Sequence, residues 1–110
     1  MKNKLGTRLE DLLKQKNMAD KSSNTSDFKK AQEFFSQGID HLKKEENFEA
    51  LIPLFGALAL NGNCFKAANN LAVALWKLDC SALALRITEM VLERDPENKK
   101  AMENLEFLRS

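Results

Sequence analysis

Residues 65–98 read FKAANNLAVALWKLDCSALALRITEMVLERDPEN, and the stretch 34 places earlier, residues 31–64, reads AQEFFSQGIDHLKKEENFEALIPLFGALALNGNC. The two run in step where packing would demand it: Gly38 recurs as Ala72, Ala50 as Ala84, and the turn formers Asn61-Gly62-Asn63 as Asp95-Pro96-Glu97. A period of about 34 residues is that of a helix-turn-helix unit, so the pattern predicts an all-α solenoid. Function is then expected on a surface rather than in an enclosed catalytic pocket.

Each unit divides into two helices. Phe34, Gly38 and His41 share one face of a helix expected over 28–44, with Phe35, Ile39 and Leu42 on the neighbouring face and Ser26 or Asp27 as its cap. Glu45-Glu46-Asn47 is a polar turn. A second helix over about 48–60 is expected to end at Asn61-Gly62-Asn63, with Gly62 supplying a left-handed C-terminal residue. Pro53 lies inside it and predicts a kink or a late start, since an interior proline costs about 3 kcal/mol. Helices over about 64–78 and 82–94 follow, joined near Asp79-Cys80-Ser81. Beyond Asp95-Pro96-Glu97, Ala101, Met102, Leu105 and Leu108 form the buried side of a last helix over about 97–109. Strand alternation is absent.

Ahead of the repeats, residues 1–18 hold Leu5, Leu9, Leu12 and Leu13 at helical spacing, with Lys4, Arg8, Lys14 and Lys16 mostly off that stripe. This reads as a short amphipathic helix. The polar run within residues 19–27 reads as a linker, and residues 28–110 as the folded domain.

The residues of the two units resemble the tetratricopeptide repeat family, whose pattern is W-x2-L-G-x2-Y, then an alanine, an aromatic and a proline. In residues 31–64, Phe34 stands at the tryptophan place, Gly38 at the glycine, His41 at the tyrosine, Ala50 at the alanine and Gly62 at the proline. In residues 65–98, the matching places hold Ala68, Leu71, Ala72, Leu75, Ala84 and Pro96. Gln37 departs from the leucine, and Leu54 and Thr88 from the aromatic. The resemblance covers about three quarters of the chain, and residues 99–110 look like the family's terminal capping helix. It implies a right-handed solenoid of two repeats plus that cap. Two repeats fall short of the usual minimum of about three, so further apolar surface should be recruited, from the N-terminal helix or a second copy of the chain.

The family's first helices line a concave groove that receives a partner peptide or helix. Carried over, the resemblance points to Phe35, Ile39 and Leu42, then Lys66, Asn70, Val73 and Trp76, then Lys100 and Phe107. Phe35, Ile39 and Trp76 would be the anchors, since a contiguous apolar patch of this kind marks a binding surface. A carboxylate clamp of the sort some members carry is not expected. Asn70 and Lys100 match it, but Phe35, Ile39 and Asn104 supply no comparable cationic set.

Composition narrows the remaining classes. The chain of 110 residues carries 17 basic and 16 acidic side chains, a net charge of +1, so no global field draws nucleic acid or an anionic membrane. Acids interleave with bases, as in Lys43-Lys44-Glu45-Glu46. Its apolar runs fall short of the roughly 20 residues of a membrane span. The N-terminus lacks the apolar core of a secretory signal, which gives a cytoplasmic expectation. Cys64 and Cys80 bracket a helix that holds them roughly 24 Å apart, too far for a disulfide. No metal-ligand spacing, phosphate loop or nucleophile motif is present, and neither a catalytic residue nor a cofactor is expected. The reading is a non-enzymatic protein-protein interaction module, an adaptor or co-chaperone-like protein taking an apolar peptide or helix. The alternative is a homo-oligomerisation scaffold in which the apolar surface and the N-terminal helix form a dimer interface.

Overall fold

A computed structural model describes residues 26–110; the expected N-terminal helix and most of the linker lie outside the described residues. Five helices follow one another: α1 (26–43), α2 (Asn47–Leu60), α3 (Phe65–Lys77), α4 (Ser81–Arg94) and α5 (Lys99–Arg109), with no strand among the described residues. Each packs on the next from α2 to α5, and α3 also touches α5. The all-α expectation is thus met, with boundaries within two residues of those expected.

The turns repeat as faithfully as the sequence does. At the end of α1, Glu46 N–H donates to the His41 carbonyl and Glu45 N–H to that of Leu42; at the end of α3, Cys80 donates to Leu75 and Asp79 to Trp76. Every partner is displaced by 34 residues. Both are Schellman closures, a six-residue bond enclosing a four-residue one, and both put their penultimate residue in the left-handed region: Glu45 at φ 60° and Asp79 at φ 64°. A side chain bearing a Cβ is strained there, glutamate more than aspartate. Glu45→Gly should therefore raise stability by about 0.5–1 kcal/mol, read as a higher urea midpoint, with Asp79→Gly giving less.

Gly62 does not play that part. No glycine among the described residues has positive φ. The C-cap of α2 is Asn61 in extended geometry, and its Oδ1 accepts from Asn63 N–H at 3.1 Å while its carbonyl accepts from Cys64 N–H at 3.0 Å. An Asx turn reverses the chain without a left-handed residue, which is why the expected glycine cap is unnecessary. The equivalent Asp95 is likewise followed by a bond from Asn98 N–H to its carbonyl. Arg94 then ties the two turns together by donating to the Gly62 carbonyl at 3.1 Å.

Of the two outcomes expected at Pro53, the late start does not occur. Rather than starting late, α2 begins at Asn47 and runs through a buried Pro53 to Leu60. Packing of Ala50, Pro53, Leu54 and Ala57 against the core outweighs the local penalty. That core is built mainly of alanine, with Leu54, Leu71, Thr88 and Val91 its largest fully enclosed side chains. Alanine lets helix axes approach closely. At Gly38 the approach leaves no room for a side chain: a Cβ would stand 2.5 Å from Leu54 Cδ2.

Leu54 and Thr88 fill the aromatic places and are fully buried, and Thr88 satisfies its hydroxyl by donating to the Ala84 carbonyl at 2.9 Å. His41, in the tyrosine place, is half-buried with Nδ1 2.9 Å from Glu46 Oε1, across the first Schellman turn. Cys64 and Cys80 are unbridged, and Cys80 is exposed.

Candidate functional site

In α3, Ala67, Ala68, Leu71, Ala72, Ala74 and Leu75 are turned inward. The helical period leaves Lys66, Asn70, Val73 and Trp76 along another side. Lys66 is exposed, Asn70 and Val73 are half-buried, and Trp76 keeps 39 % of its surface in solvent. Asn70 spends one amide donor on its own helix, Nδ2 to the Lys66 carbonyl at 2.8 Å. That leaves it less donor capacity for a ligand.

Helix α5 is brought beside α3 by a polar joint. Asn98 caps α5 by accepting from Ala101 N–H at 3.0 Å, and the same Oδ1 accepts from Asn69 Nδ2 at 3.1 Å. Asn98 Nδ2 in turn donates to Asp95 Oδ2 at 3.0 Å, and Asn104 Nδ2 reaches the Asn69 carbonyl at 3.4 Å. Together with the burial of Ala101 and the packing of α5 on α4, these bonds bring Phe107 against Trp76. The two rings meet edge to face, centroids 4.7 Å apart and planes at 80°. This is the favoured arrangement of two ring quadrupoles.

Around that pair lies a hollow of about 200 Å³ lined by Ala72, Val73, Trp76, Asn104, Phe107 and Leu108. Asn104 is the only polar residue in its wall. A void of about 150 Å³ already accepts benzene, so this one has room for a leucine, methionine or phenylalanine side chain. Three of the residues expected in the groove, Val73, Trp76 and Phe107, are thereby brought together. Ala72 and Leu108 belong with them and were read only as packing positions; the small side chain of Ala72 is what leaves the space open.

The other expected residues are arranged differently. Phe35 and Leu42 on α1 are half-buried and pack on the core cluster, so part of each supports the fold rather than a ligand. Ile39 is also half-buried. Phe35 and Lys66 do meet, lining a second hollow of about 430 Å³ with Phe28, Gln32, Phe65 and Asn98. Lys100 is exposed and pairs with Glu103 on its own helix at 3.8 Å. Surface pairs of this type contribute little, so Lys100 stays available to solvent.

Among the described residues no three His, Cys, Asp or Glu side chains gather as a metal site, and no helix is long and apolar enough to cross a membrane. The Trp76–Phe107 hollow is a small apolar socket with aromatic walls. A search of family models and a search of curated proteins each found no match to this chain.

Proposed function

We propose that the chain is a tetratricopeptide-type, non-enzymatic interaction module, an adaptor that captures an apolar peptide or helix along the side of α1, α3 and α5. The observation that carries this reading is the open Trp76–Phe107 socket. Two large aromatic rings share one small apolar hollow on a surface, and such anchors with a pocket between them are the usual centre of a protein interface. The turn bonds that recur at 34 residues support the repeat assignment. A right-handed solenoid with a concave groove is part of the same proposal. Phe35, Ile39 and Leu42 would extend the contact on α1, with Lys66, Asn70 and Lys100 at its polar margin. An amphipathic helix offering one large side chain to the socket and an apolar row to α1 would satisfy this layout. A cytoplasmic setting suits the exposed thiol of Cys80.

The test is capture of partners from a cell extract by the full chain and by Trp76→Ala with Ile39→Ala. Partners should be lost from the double variant while its helical circular dichroism stays at the wild-type level. Partners retained by a folded double variant would sink the proposal.

A further inference from the structure

Helix α2 is apolar on two opposite sides. Ala50, Pro53, Leu54 and Ala57 are buried against the core, whereas Phe48, Ile52, Phe55 and Ala59 form a row open to solvent. The large members are 68 %, 77 % and 47 % exposed in chain order. At 3.6 residues per turn this row is diametrically opposite the buried one. A helix that is hydrophobic all round is normally covered all round. Three large apolar side chains in a continuous row are also more than the single exposed residues expected of a surface.

We infer that this outer row of α2 is the docking site for the chain's own N-terminal segment, residues 3–17, folded back in the same molecule. The first argument is the position at which the segment joins the domain. Asp27, Phe28 and Lys29 at the start of α1 share a hollow with Leu60 and Asn61 at the end of α2, so the chain enters beside the last turn of the exposed row. The steps from residue 17 to residue 26 reach about 30 Å when extended, and the row from Phe48 to Ala59 is only about 16 Å long. The segment can therefore lie along the whole row. The second argument is fit: Leu5, Leu9, Leu12 and Leu13 recur at helical spacing and supply an apolar row to oppose it.

Charge supplies the third argument. Residues 1–18 hold Lys2, Lys4, Arg8, Lys14 and Lys16 against Glu10 and Asp11, so five cations less two acids leave three positive charges. Residues 43–60 hold Glu45, Glu46 and Glu49 against Lys43 and Lys44, three acids less two cations leaving one negative charge. The last turn of α2 carries no basic residue, whereas α3, α4 and α5 have Lys77, Arg94 and Arg109 there. The net positive segment thus meets a helix whose surroundings are weakly acidic and whose own last turn supplies no cation, a modest complementarity beside the position and fit of the segment. This inference concerns α2 and does not depend on the Trp76 socket.

Amide hydrogen exchange of the full chain tests it. In the wild type, amides within residues 5–16 should exchange at least about 10-fold more slowly than unstructured peptide rates. Ile52→Asp should return them to unstructured rates while amides of α3 to α5 keep their protection; Ile52 is 77 % exposed, so the domain itself has little packing to lose there. The reciprocal variant, Leu9→Asp with Leu12→Asp, should increase binding of an apolar fluorescent dye by uncovering the α2 row. Unprotected amides in the wild type, protection that survives Ile52→Asp, or unchanged dye binding in the reciprocal variant would each overturn the inference. Protection that disappears on dilution together with a dimer seen by light scattering would place a second copy's segment on the row and overturn the intramolecular assignment.

Discussion

Gly38→Ala is expected to destabilise the domain by about 1–2 kcal/mol, although the same exchange inside an unconstrained helix would stabilise it by up to about 1 kcal/mol. The added Cβ would lie 2.5 Å from Leu54 Cδ2 and 2.7 Å from Leu54 Cγ. Carbon atoms sit comfortably at about 3.5–4.0 Å. Leu54 is fully buried, and its branch atom Cγ as well as its terminal Cδ2 would have to move within the core. The second unit shows how the same geometry tolerates a methyl group: Ala72 takes the place of Gly38, and the smaller Thr88 takes that of Leu54. Leu54→Thr alone should cost about 2–4 kcal/mol through the volume it vacates, its hydroxyl being able to bond back to Ala50 as Thr88 does to Ala84. Gly38→Ala with Leu54→Thr should then cost less than the sum of the two, by about 1 kcal/mol or more. Urea unfolding of the four proteins measures this coupling. Strictly additive effects would mean that the backbone shifts to admit the methyl and that Gly38 and Leu54 are not a matched pair.

Phe107→Ala should weaken capture of a helical partner by about 10- to 100-fold, the equivalent of about 1.5–3 kcal/mol for one large side chain in an apolar contact. Its effect on stability should be smaller, because Phe107 is 56 % exposed and its packing within the domain is chiefly the edge-to-face contact with Trp76, a type worth about 0.5–1.5 kcal/mol. Trp76 is the chain's single tryptophan, so its emission reports on the socket directly. In the free protein Phe107→Ala should shift that emission to longer wavelength as water reaches the indole. On titration with partner, the wild type should shift to shorter wavelength, and the variant should need correspondingly more partner for the same change. An emission that ignores the partner, with affinity unchanged in Phe107→Ala, would move the binding surface elsewhere on the molecule.

Much of this architecture was legible in the chain itself. The 34-residue recurrence of Gly38 and Ala72, Ala50 and Ala84, and the two polar turns located all five helices, because helical period and turn chemistry are local properties. Of the candidate site, Val73, Trp76 and Phe107 could be selected by resemblance, since residues at fixed places in a repeat share a side.

Other features depended on contacts that no local pattern carries. Gly62 looked like the left-handed residue, but Glu45 and Asp79 hold that conformation because the Schellman bonds of α1 and α3 close over them. Pro53 looked able to delay the start of α2, yet the helix begins at Asn47 and runs through a buried Pro53. Phe35 and Leu42 share their sides of α1 with the core, a division set by how closely neighbouring helices approach. The Trp76 socket depends on where α5 sits along α3, to which the bonds among Asn98, Asn69 and Asn104 and the burial of Ala101 contribute. Composition and period thus determined which helices form and which sides are apolar. Tertiary packing alone decided which of those apolar sides are enclosed, since burial depends on distances between helices that sequence spacing does not specify.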